Sequence, residues 1–75
     1  MLMKTYLTLW FNSSGERTSR VTQRLMSMGF RPVHGNYDHV YDWGKQASID
    51  ELIGLADNIH ETLNGTGVFF KIETE

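Results

Sequence analysis

The chain contains no cysteine. That absence excludes disulfides, thiolate nucleophiles and thiolate metal sites together. Small secreted domains usually carry such staples, so the expected compartment is a reducing cytoplasm. Proline occurs once, at Pro32, and neither an internal repeat nor a low-complexity segment is evident. No apolar run approaches the length needed to cross a bilayer, and Met1-Leu2-Met3-Lys4 leads straight into a strand pattern rather than a signal peptide. An excess of basic charge is missing too, the net charge being −2. That charge is unevenly divided: residues 1–37 carry Lys4, Arg17, Arg20, Arg24 and Arg31 against Glu16, whereas residues 38–75 carry Lys45 and Lys71 against eight carboxylates. A uniformly basic nucleic-acid binder is not built this way.

What is present is an ordinary globular composition, 40% hydrophobic and 21% charged, in 75 residues. It argues for one folded domain and against disorder. A domain this small buries only about 60% of its unfolded surface, which makes self-association a natural supplement.

The apolar periodicity sets the element order. Met3 to Phe11 alternates, with Met3, Thr5, Leu7, Leu9 and Phe11 on one face and Lys4, Tyr6, Thr8, Trp10 and Asn12 on the other; period two predicts a strand. Asn12-Ser13-Ser14-Gly15 is turn chemistry. A helix is expected from Glu16 or Thr18 to Met28, with Ser14 or Thr18 as N-cap, Val21, Leu25 and Met28 as the buried stripe, and Gly29 as the stop. Phe30 to His34 reads as a short strand placed at a sheet edge by Pro32. Gly35-Asn36 suits a two-residue hairpin, after which Asp38 to Trp43 alternates again. Ser48-Ile49-Asp50-Glu51 is a capping box. The helix it opens carries Ile49, Leu52, Ile53, Ala56, Ile59 and Leu63 at helical spacing and ends at Asn64-Gly65. A last strand sets Val68, Phe70 and Ile72 against Phe69, Lys71 and Glu73.

Strand, helix, strand, strand, helix, strand predicts an α+β fold, a ferredoxin-like βαββαβ sandwich. Its four-stranded antiparallel sheet would have both helices on one face and the first and third strands in the centre. The other face would then be uncovered. Tyr6, Trp10 and Phe69 fall on it, and Tyr41 and Trp43 join them if the third strand turns that way; its alternation fits either orientation. An exposed apolar patch of this kind marks an interaction surface. Three occupants fit it: a second copy of the chain, stacked bases of a single-stranded nucleic acid, or a small ligand where two sheets meet. The acidic second half counts against the nucleic acid.

Catalytic and metal chemistry find less support. His34 and His39 flank the expected hairpin near Asp38 and Asp42, but their spacing matches no ligand pattern. Asp38 is expected to brace the hairpin through local backbone hydrogen bonds, and His60 to lie partly buried at the border of its helix's apolar stripe. Ser13 and Ser14 lack a strand–elbow–helix setting for a nucleophile. Gly65-Thr66-Gly67 follows a helix, the reverse of what anion binding at a helix N-terminus needs. Arg17, Arg20 and Arg24 form one basic stripe and Asp50, Asp57 and Glu61 an acidic one, read as solvated faces or as surfaces that meet each other or a neighbouring subunit. No catalytic residue, metal or cofactor is assigned; an enzyme of the small dimeric-barrel kind, with His34 or His39 as base, stays as an alternative.

Gly35-Asn36-Tyr37-Asp38 between two strands, then an acidic amphipathic helix, then Gly67-Val68 opening a last strand, resembles the effector-binding domain of leucine-responsive regulatory proteins. That is the regulation-of-amino-acid-metabolism, ACT-like domain. The likeness covers nearly the whole chain in element order and length, although the motif is short. It implies a stand-alone form without the DNA-binding helix-turn-helix, a homo-oligomer, and an amino-acid-like effector bound at a subunit interface. Gly35, Tyr37 and Asp38 are the positions that match. Met28-Gly29-Phe30, and a third strand that is aromatic and acidic rather than aliphatic, depart from the family.

Overall fold

The computed structural model describes residues 2–75; Met1, part of the lead-in read above, lies outside them. Six elements follow in the expected order: β1 Lys4–Trp10, α1 Thr18–Ser27, β2 Arg31–Pro32, β3 His39–Asp42, α2 Ile49–Leu63 and β4 Phe69–Thr74. Every strand pair is antiparallel, and the sheet order is β2-β3-β1-β4. The fold is α+β, and this order is compatible with the ferredoxin-like arrangement. β1 and β3 are central, and Pro32 sits in an edge strand, where a missing N–H is harmless.

Both helices meet the same sheet face. Leu7 and Leu9 of β1 form one buried cluster with Val21 and Leu25 of α1, with Phe30, and with Leu55, Ile59 and Leu63 of α2. The capping box of α2 is formed: Ser48 Oγ accepts from Glu51 N–H at 3.1 Å, and Glu51 Oε1 accepts from Ser48 N–H at 3.0 Å. The apolar stripe of α2 differs from the one read in the sequence. Leu55 is buried in it, whereas Ile49 and Ile53 are 74% and 55% exposed. At about 100° per residue Ile53 lies about 120° round the helix from Ile59, too far to reach the sheet.

The N-cap position of α1 is Arg17 rather than Ser14 or Thr18, and no side chain caps the helix. Ser14 is occupied in the preceding turn, where both its N–H and its Oγ–H donate to Asn12 Oδ1, at 2.9 and 2.8 Å. That turn is pressed against the loop between α2 and β4. Glu16 N–H donates to Thr66 O at 2.8 Å, and a Cβ on Gly15 would collide with the same carbonyl oxygen. Thr66 is itself buried, with Oγ1 donating to Leu63 O at 2.6 Å and accepting from Val68 N–H at 3.2 Å. Gly65-Thr66-Gly67 is therefore a helix stop locked to the first turn.

The hairpin between β2 and β3 is longer than the two-residue turn expected from Gly35-Asn36. Val33 N–H donates to Asp38 O at 3.0 Å across a four-residue loop, His34 to Tyr37, and β3 starts at His39. Only Gly35 takes a positive φ, 110°. The extra length comes from His34 and Tyr37, which do not pair with each other; the Tyr37 side chain is bonded to β4 instead.

Candidate functional site

The register between β1 and β3 decides which side chains the uncovered face carries. Tyr6 is opposite Val40, Thr5 opposite Tyr41, and Leu7 opposite His39. Cross-strand partners share a face, so His39 and Tyr41 lie with Leu7 under the helices. Trp43, two residues on, follows Tyr41. Both aromatics are partly buried against the core; Tyr41 stands between Phe30 and Trp43, and the Trp43 indole N–H donates to Thr5 Oγ1 at 2.9 Å. This corrects the placement of Tyr41 and Trp43 on the interaction face. The open face keeps Tyr6, Trp10 and Phe69, the last two as direct cross-strand partners.

Two distinct zones result. Over the middle of the open face the Tyr37 ring stacks on Tyr6, with centroids 4.6 Å apart, and Tyr37 Oη–H donates to Glu73 Oε2 at 2.7 Å. Lys71 Nζ holds the other Glu73 oxygen at 2.9 Å. The Tyr37 bond and then the Lys71 charge hold the Glu73 carboxyl below its ordinary range, and the same bond pushes the Tyr37 hydroxyl up. Tyr37 is thus a strap from the hairpin to β4. At the end of the sheet Trp10 and Phe69 of this face are 52% and 74% exposed.

Phe69 also belongs to a cavity of about 350 Å³ between the last turn of α2 and the start of β4. Leu63, Val68 and Phe70 line it together with Phe69, and His60 and Asn64 are the polar side chains among its lining residues. His60 is exposed there, not partly buried as its place in the stripe suggested. The signal for this cavity was present in the sequence only as separate pieces, an apolar helix end and a strand beginning Val68-Phe69-Phe70.

The carried-over residues Gly35, Tyr37 and Asp38 divide by role. Asp38 does not brace its own hairpin. Its Oδ2 accepts from Leu9 N–H at 2.7 Å while its N–H donates to Leu7 O at 2.9 Å. The side chain stands in for the next carbonyl of β3 and extends the ladder along β1. Gly35 is at the exposed tip, with open space where a Cβ would lie.

The histidines are not brought together. His34 is exposed in the loop, whereas His39 is 5% exposed beneath the sheet. Among the described residues no group of three carboxylates or histidines is placed to hold a metal ion. Nor do the charged stripes of the helices pair with each other: the ion pairs among the described residues are Arg20–Glu16, Lys45–Glu51 and Lys71–Glu73. No helix of the described chain is long and apolar enough to cross a membrane. The fold and this face define a small α+β domain with an uncovered aromatic sheet end beside an apolar cavity. No protein-family model, curated protein or solved structure matches the chain.

Proposed function

We propose that this protein is a cytoplasmic, non-enzymatic binding module that self-associates through its sheet and takes a small, amino-acid-like effector beside the subunit contact. One observation carries the reading. Trp10 and Phe69 are cross-strand partners on the uncovered face, both more than half exposed, and Phe69 is at the same time a wall of the 350 Å³ cavity. Contiguous exposed apolar surface is the usual mark of a contact site, and the cavity is within the range of small-ligand pockets.

The resemblance to the effector-binding domain of leucine-responsive regulatory proteins supports the same reading. Because Tyr37 and Asp38 are bonded within the chain, their role is to brace the contact face, and the cavity is the room left for the effector. A base-stacking platform would need aromatics on both central strands of the open face; β3 offers Val40 there, and Tyr6 lies under Tyr37. The enzymatic alternative has His39 buried below the sheet and His34 alone in its loop.

Light scattering should give twice the chain mass, and Trp10→Glu should lower it to that of one chain. A parent protein that stays monomeric at high concentration removes the self-association. A thermal-shift screen over the twenty amino acids should raise the melting temperature for a subset, and a flat response to all of them removes the effector.

A further inference from the structure

The outer edge of β4 has no strand partner among the described residues. Its pattern of free groups follows from its other edge. Lys4 N–H donates to Glu75 O at 2.8 Å and Glu75 N–H to Lys4 O at 3.0 Å, so these two residues form a hydrogen-bonded pair. Bonded and non-bonded pairs alternate along an antiparallel ladder. Tyr6–Glu73, Thr8–Lys71 and Trp10–Phe69 are then the other bonded pairs. Phe70, Ile72 and Thr74 must aim their N–H and C=O groups away from β1, at the free edge. The β1–β4 register is continuous, and β4 contains no proline, so nothing in the strand blocks a further ladder.

We propose that this edge pairs with the same edge of a second copy, antiparallel and centred on Ile72. The proposal takes from the reading above that the chain self-associates through its sheet, and places the contact at this edge rather than at the Trp10–Phe69 end. Outward-facing residues must meet outward-facing residues, so the register can slide only in steps of two. Phe70 opposite the partner's Ile72 would set Lys71 against the partner's Lys71. Ile72 opposite the partner's Thr74 would set Glu73 against the partner's Glu73. Only with Ile72 opposite the partner's Ile72 does each Lys71 face a Glu73, once on either side of the two-fold axis.

Those two pairs are at non-bonded positions, where cross-strand side chains approach most closely. Opposite charges there favour the register, and like charges disfavour its neighbours. Phe70 then pairs with the partner's Thr74, so the three outward residues exchange about six backbone bonds between the copies. The two-fold axis runs through the sheet. It leaves all the helices on one side of an extended sheet and both Trp10–Phe69 ends on the other. The edge is self-complementary, as a closed two-fold contact requires.

The test uses charge reversal and mixing, read by light scattering. Lys71→Glu alone and Glu73→Lys alone should each give monomer, and the double reversal K71E/E73K should restore the dimer. An equimolar mixture of the two single variants should form a heterodimer, because the two carboxylates of one variant then face the two ammonium groups of the other. Tyr37→Phe, which also loses the bond to Glu73, should stay dimeric, showing that the loss in Glu73→Lys is not simply the loss of the strap. Amide exchange gives an independent readout: in the parent dimer the N–H groups of Phe70, Ile72 and Thr74 should exchange at least tenfold more slowly than in the Lys71→Glu monomer.

Single reversals that leave the dimer intact, a mixture that stays monomeric, or outward amides that exchange freely in the dimer would each overturn the edge pairing. If such a dimer were instead dissociated by Trp10→Glu, the self-association reading would survive without this edge. If the charge pattern held while Trp10→Glu had no effect, the edge pairing would stand and the open-face contact would fall.

Discussion

At His39 an imidazole sits 5% exposed opposite Leu7, and neither ring nitrogen has a hydrogen-bond partner among the described residues. Burial holds its pKa below the ordinary value of 6.5, against a smaller upward pull from the Asp38 charge. The unfolded chain therefore binds this proton more readily than the folded one. The stabilising contribution is complete above pH 6.5 and falls away as the pH drops through 6.5 toward the lower folded value. His39→Phe replaces the unpaired nitrogens by an apolar ring of similar shape. It should raise stability at pH 7 by about 1 kcal/mol. It should also flatten the loss of stability as the pH falls through 6.5 in urea titrations at successive pH values; an unchanged pH slope would show that another group sets it. The alternation around His39 was visible in the sequence, but its orientation was not. Either His39, Tyr41 and Trp43 or Val40 could have faced the helices, and the choice is made by pairing with Thr5, Tyr6 and Leu7, far back along the chain.

The elements themselves were legible where their signals are local. The Ser48–Glu51 box, the alternation of β1 and β4, and Pro32 at an edge all appear as read, because each is decided within a few residues. The hairpin was misread because its length is set by long-range partners: Tyr6 and Glu73 hold Tyr37. The same holds for the site. Trp10 and Phe69 could be assigned to the open face from their strands alone, whereas the cavity needs α2 and β4 side by side. Asp38 gives the element-scale prediction. Asp38→Ala leaves Leu9 N–H without its acceptor and should cost about 1–2 kcal/mol, measured by urea unfolding. Asp38→Asn keeps an acceptor oxygen and should cost less. Equal losses in the two variants would mean that the carboxylate's charge, rather than its place in the ladder, is what β1 requires.

Taken as a whole, the molecule is asymmetric in what it covers. One sheet face is filled by two helices, while the other is crossed by the Tyr37 strap and ends in the Trp10–Phe69 pair. The division of charge read along the chain has no counterpart in ion pairing between the helices, since among the described residues α1 pairs only with the adjacent Glu16 and α2 only with Lys45. The strand order has a consequence in time as well. β1 is central, yet its neighbours lie about 30 and about 65 positions further along, at His39 and Ile72, so its ladders require long loops to close. Refolding should therefore be slower than that of a helical bundle of equal length, with β4 joining after β1 and β3 have met. Ile72→Val, costing about 1 kcal/mol, should then act mainly by speeding unfolding. In stopped-flow chevrons a slowed refolding limb would instead place the last strand inside the nucleus.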